Sequence, residues 1–100
     1  MKIALIGATG FVGSAILKEA LSRGEQVKAV VRHPEKLSIQ DKNLTVVKGD
    51  AMDSIALAGL LKGNDLVISA YNPGWNNPDI YNEFLKGAES IQEAVKESGV

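Results

Sequence analysis

The chain has 100 residues, 45% of them apolar, and its 11 basic and 12 acidic side chains leave a net charge of −1. That suits one domain with a real core, neither disordered nor membrane-spanning, and the balanced charge argues against nucleic acid or an anionic membrane as principal partner. No cysteine is present, which excludes disulfides, thiol redox chemistry and thiolate metal sites.

In chain order, Lys2 to Ile6 reads as a strand whose continuous apolar run suits burial on both faces, as parallel sheets require. Met1-Lys2-Ile3 enters that strand without the regions of a signal peptide, so the expected compartment is the cytoplasm. Gly7-Ala8-Thr9-Gly10-Phe11-Val12-Gly13 follows at once and reads as a phosphate-binding turn between strand and helix. Its spacing is G-x-x-G-x-x-G, so its context carries the argument. Gly7 allows the tight turn out of the strand, Gly10 lets a pyrophosphate approach bare backbone, and Gly13 lets the helix pack closely on the strand. The N–H groups of the first helical turn, about Phe11 and Val12, then point at an anion with the helix dipole behind them.

The first helix is expected from Phe11 to Arg23, with Val12, Ala15, Ile16, Ala20 and Leu21 at helical spacing and Gly24 closing it. Val27 to Val31 is a second strand, stopped by Pro34. A polar loop with at most one helical turn spans Glu35 to Asn43, and Leu44 to Val47 forms a short third strand ending at Lys48-Gly49-Asp50. Asp53 or Ser54 caps a helix reaching about Lys62, with Leu57, Leu60 and Leu61 on its buried side and Gly63 beyond it. Leu66 to Ala70 is the fourth strand. After the turn-rich, aromatic stretch Tyr71 to Pro78, Asn77 and Pro78 suit the N-cap and first position of a last helix. Ile80, Phe84, Ala88, Ile91 and Val95 form its apolar stripe, and Gly99 ends it.

Strands alternating with helices argue for a three-layer α/β/α Rossmann-like domain over residues 1–100, with a parallel sheet of order 3-2-1-4. That is somewhat more than the first half of a doubly wound fold. It leaves the apolar fourth strand as an edge, a template for pairing with another copy, so the chain is expected to be the N-terminal portion of a longer protein.

The glycine motif, Val31-Arg32 after strand two, Gly49-Asp50 after strand three and Ser69-Ala70 after strand four resemble the atypical short-chain dehydrogenase/reductase superfamily. Within it the chain is most similar to NmrA-like NAD(P)-binding proteins and to small proteins labelled NAD(P)H-flavin reductases or NAD-dependent epimerase/dehydratases. The resemblance covers the whole chain and implies a partner half that faces the substrate. It also implies cofactor contacts at Gly7, Thr9, Gly10, Phe11, Val12 and Gly13, at Asp50 toward the adenine amino group with Ala51 beside it, and at Ala70 and Tyr71.

At the end of strand two, NAD-specific domains place a carboxylate for the ribose 2′-hydroxyl, but here the position holds Arg32. A guanidinium binds a 2′-phosphate through paired charge-assisted hydrogen bonds, so NADP is the expected cofactor and NAD the alternative. His33, the single histidine, is expected as a solvated loop residue near the ribose end, able to add a donor. Tyr71 and Trp75 suit either a shield for the nicotinamide side or a plug at the upper edge of the sheet. Asp50 and Asp53 lack a histidine partner, and Asp53 is needed as a cap, so no metal site is expected. Tyr81 and Lys86 are five apart rather than four and lie too early in the fold to be the superfamily's Tyr-x-x-x-Lys pair, so no catalytic residue is assigned.

These readings lead to an NADP(H)-dependent reductase acting on a small-molecule substrate, or its cofactor half, inactive as 100 residues alone. An NmrA-like redox sensor without turnover and a nucleotide-sugar epimerase or dehydratase are the alternatives.

Overall fold

A computed structural model describes residues 1–71 and 78–100, apart from the side chains of Ile80 and Phe84. Its elements are β1 (Lys2–Ile6), α1 (Phe11–Ser22), β2 (Gln26–Val31), a 3₁₀ turn (Pro34–Lys36), β3 (Leu44–Lys48), α2 (Ser54–Leu61), β4 (Leu66–Ser69) and α3 (Ile80–Ser98). The strands form one parallel sheet in the expected order, β3-β2-β1-β4. Ile6 pairs with Val30 on one side and Ser69 on the other, which brings the carboxyl ends of the strands out along one edge.

Both faces of the central strands are covered, which explains their unbroken apolar runs. Ala4, Ile6 and Val30 pack with Leu57, Ala58 and Leu61 of α2 and with Ile91 and Ala94 of α3. The alternate residues Leu5, Val27, Ala29 and Val31 pack with Leu17 of α1. Leu17, Leu57 and Leu61 are at most 1% exposed, each contributing about 1.5–3 kcal/mol of burial.

The helix boundaries follow local chemistry. Asp53 accepts from the Ala56 N–H at 3.2 Å and starts α2 as expected. Gly24 and Gly99, both with φ near +78°, turn the chain out of α1 and α3. In α1 the expected stripe is rotated, because Gly13 and Leu17 are its buried residues while Val12 and Ala15 lie exposed. The close approach at Gly13 pulls that line of the helix onto the sheet. The start of α3 also differs. Pro78 sits in a turn rather than at the first helical position, and Asp79 is the N-cap, its carbonyl accepting the Glu83 N–H at 3.0 Å. The Asp79 side chain makes no capping bond to the helix backbone; its Oδ1 accepts from Asn82 Nδ2 at 2.9 Å instead. Asn77 and Trp75 lie outside the described residues.

Candidate functional site

At the carboxyl edge of the sheet, the turn after β1 carries two close approaches. Gly7 has φ +86°, and a Cβ there would come within 2.6 Å of the Ala70 carbonyl oxygen. At Gly13 a Cβ would overlap the Gly7 carbonyl, coming within 2.8 Å of its carbon. Both glycines are therefore demanded by the protein's own packing. Gly10 is different. With φ −76° it is ordinary backbone, and a Cβ would meet only the Gly7 oxygen at 3.6 Å. The fold does not need glycine here; what the missing side chain leaves is a bare approach to the start of α1.

The electrostatics of that approach favour an anion. Gly10 is the N-cap without a side-chain hydrogen bond, and the first turn carries no acidic residue to offset the dipole. The ladder begins with the Ser14 N–H to Gly10 oxygen bond at 2.8 Å, so the amides of Phe11, Val12 and Gly13 have no intrahelical acceptor. The Phe11 side chain is 92% exposed and does not line the adjoining cavity, nor does that of Val12.

A cavity of about 180 Å³ opens beside this turn. It brings together Gly7, Thr9, Gly10, Arg32, Asp50, Ala51, Ala70 and Tyr71 from four separate stretches of chain, along with Glu83 of α3. Its volume falls below the roughly 300–1,000 Å³ of a whole small-molecule site. Asp50 is held by its own loop: Oδ1 accepts the Met52 N–H at 2.9 Å, and the Arg32 guanidinium lies 3.9 Å away. His33 stands outside the cavity, with Nδ1 3.4 Å from Glu35 Oε1. Burial, opposed by Arg32 and reinforced by Glu83 and Asp50, raises the Tyr71 phenol above its ordinary pKa and keeps it a neutral donor.

Glu83 was not legible as a site residue. It sits in the first turn of a helix whose sequence reads as ordinary amphipathic surface, and the packing of α3 on α2 and the sheet brings it to the cavity wall. Among the described residues, no group of three or more His, Cys, Asp or Glu is placed to hold a metal ion, and no helix is long and apolar enough to cross a membrane.

Residues 7–100 match the model of a family described as NAD(P)H-binding. The chain belongs to that family. It is similar to a Bacteroides thetaiotaomicron protein provisionally named an epimerase, at 50% identity and a TM-score of 0.87 over 99% of this chain and 43% of that one. The Bordetella bronchiseptica enzyme WbmH, solved in complex with NAD+, is 28% identical with a TM-score of 0.78 over 99% of this chain and 36% of its own. Among curated relatives, cinnamoyl-CoA reductase 1 of Oryza sativa is 28% identical over 98% of this chain and 31% of the relative. The chain thus spans less than half the length of each of these proteins. What it carries is an NAD(P)H-binding domain, shared with proteins named as a reductase and an epimerase.

Proposed function

We propose that this domain binds NADP(H) in preference to NAD(H), taking the adenosine and pyrophosphate portions, and serves a reductase whose substrate-facing half lies in a longer protein. The observation that carries the reading is Arg32. It stands just beyond β2 on the cavity wall, where a domain selecting NAD would place a carboxylate. The bare approach at Gly10 and the unpaired amides of the first turn of α1 suit a pyrophosphate, and the Asp50 carboxylate suits the adenine amino group. When bound, a nicotinamide dinucleotide supplies the hydride chemistry; this chain's residues bind and orient it.

Calorimetric titration of NADPH and NADH against wild type and Arg32→Ala tests the preference. The wild type is expected to favour NADPH, and the substitution to remove most of the gap, about 1.5–3 kcal/mol for hydrogen bonds to a charged group. Equal affinities in the wild type, or a preference that survives the substitution, would refute it.

A second reading is an NAD-dependent epimerase or dehydratase acting on a nucleotide sugar. It is favoured by the 50% identity to the Bacteroides protein provisionally named an epimerase. Release of NADP+ with a flavin or quinone acceptor by the full protein supports the reductase, interconversion of a sugar nucleotide supports the second reading, and dinucleotide binding without either supports a redox sensor.

A further inference from the structure

Gly87 lies in the middle of α3, where glycine is unfavourable relative to alanine, and it is buried. A Cβ there would reach 2.5 Å from Cζ and 2.8 Å from the hydroxyl oxygen of Tyr71, so the ring rests directly on the helix backbone. Gly59, within α2, has nothing within 4 Å of such a Cβ. The contact at Gly87 is therefore specific to the tyrosine. Tyr71 is also tied at its other end, since its backbone nitrogen lies 3.0 Å from where a Cβ on Gly7 would stand. The residue thus spans from the glycine turn to α3, lining the cavity that also holds Arg32, Asp50 and Glu83.

We propose that Gly87 is a positioning residue for this cavity: its bare backbone seats the Tyr71 ring as an aromatic wall against which the purine of an adenine nucleotide packs. The inference rests on the dinucleotide reading above and assigns Tyr71 to the adenosine end rather than to the nicotinamide side. The chemistry fits a purine at this place. A flat aromatic face stacks on any base, while Asp50 and Glu83 offer carboxylates able to accept from an exocyclic amino group. A side chain at residue 87 has nowhere to go except into the ring. It would swing the ring off the helix and out of line with the cavity, leaving the backbone of α3 intact.

The test uses the full chain and two readouts. Binding of NADPH and of 2′-phospho-ADP-ribose, which lacks the nicotinamide, is measured for wild type, Gly87→Ala, Tyr71→Phe, Tyr71→Ala, the Gly87→Ala/Tyr71→Ala pair, and Gly59→Ala as a control. Gly87→Ala and Tyr71→Ala are each expected to weaken both ligands by roughly tenfold, within the range for losing a base–aromatic stack. The double variant should be no weaker than Tyr71→Ala by more than about twofold, because Gly87 acts only through the ring. Gly59→Ala should bind like wild type, and Tyr71→Phe, which keeps the ring, should lose less than Tyr71→Ala. Losses that multiply in the double variant, or a Tyr71→Phe loss equal to that of Tyr71→Ala, overturn the proposal. The second readout needs no ligand: in a Tyr81→Phe background, ultraviolet titration of the Tyr71 phenol should shift downward on Gly87→Ala as the ring moves toward water. An unchanged titration overturns the positioning role. A shifted titration in a chain that binds neither ligand overturns the dinucleotide reading instead.

Discussion

Arg32 and Asp50 approach each other across the cavity rim, guanidinium nitrogen 3.9 Å from carboxylate oxygen, from the ends of neighbouring strands. Both side chains are more than half exposed, so the pair itself is worth at most about 1 kcal/mol. Its consequence is for selectivity. Asp50 holds a negative charge near the position proposed for a 2′-phosphate and competes for the cation meant to bind it. Asp50→Asn keeps an oxygen for the Met52 N–H and should leave the fold unchanged. Because the adenine contact is common to both cofactors, the ratio of NADPH to NADH affinity isolates the phosphate. That ratio is expected to rise up to about fivefold. A ratio that falls would mean that Asp50 helps rather than hinders the phosphate.

The glycines of the first turn should separate binding from stability. Gly7→Ala and Gly13→Ala force a Cβ into backbone and are expected to destabilise the chain by at least about 1–3 kcal/mol in denaturant melts. Gly10→Ser puts a favoured cap residue at an unstrained position, so stability should hold or rise by a few tenths of a kcal/mol. Its side chain nevertheless fills the approach to α1, and NADPH affinity should drop by tenfold or more, about 1.4 kcal/mol. A Gly10→Ser variant with wild-type affinity would place the pyrophosphate elsewhere.

The edge strand predicts self-association. β4 pairs only with β1 among the described residues, and Leu66 on it is 42% exposed. Sedimentation of the 100-residue chain is expected to show concentration-dependent association, which Leu66→Lys should reduce by placing a charge on the edge. A wild-type chain that stays monomeric at all concentrations would count against it.

Tyr71 gives a pH signature. Its folded pKa is raised above the ordinary 10.0, so the neutral phenol is favoured in the folded state. The resulting stabilisation is present below pH 10 and is lost as pH climbs from 10 through the raised value. Chemical denaturation across that window should show wild type losing more stability than Tyr71→Phe. Parallel losses would mean that the phenol is as solvated in the fold as in the unfolded chain.

The topology was open to a reader of the chain because each step rests on local chemistry or on chirality. Apolar runs in β1 and β2, capping at Asp53, the glycine after α1 and the right-handed crossover rule lead to the order 3-2-1-4 without any knowledge of contacts. The roles of Gly7 and Gly13 were equally legible, since a strand that becomes a helix within a few residues leaves no room for Cβ atoms.

Other features belong to tertiary packing alone. Periodicity places Val12 and Ala15 on a buried stripe of α1, but the close contact at Gly13 rotates the helix and leaves them in water. Lys28 interrupts the apolar run of β2; the sheet carries it to the end of α2, where its ammonium donates to the Leu60 carbonyl at 3.1 Å. Glu83 and Gly87 look like unremarkable helix surface until α3 packs on α2 and the sheet, which sets one on the cavity wall and the other against the Tyr71 ring. Patterns of polarity report which face of an element is covered, within one element at a time. Which residues of two distant elements meet is set by the angle and rotation at which they pack, and no local pattern encodes that.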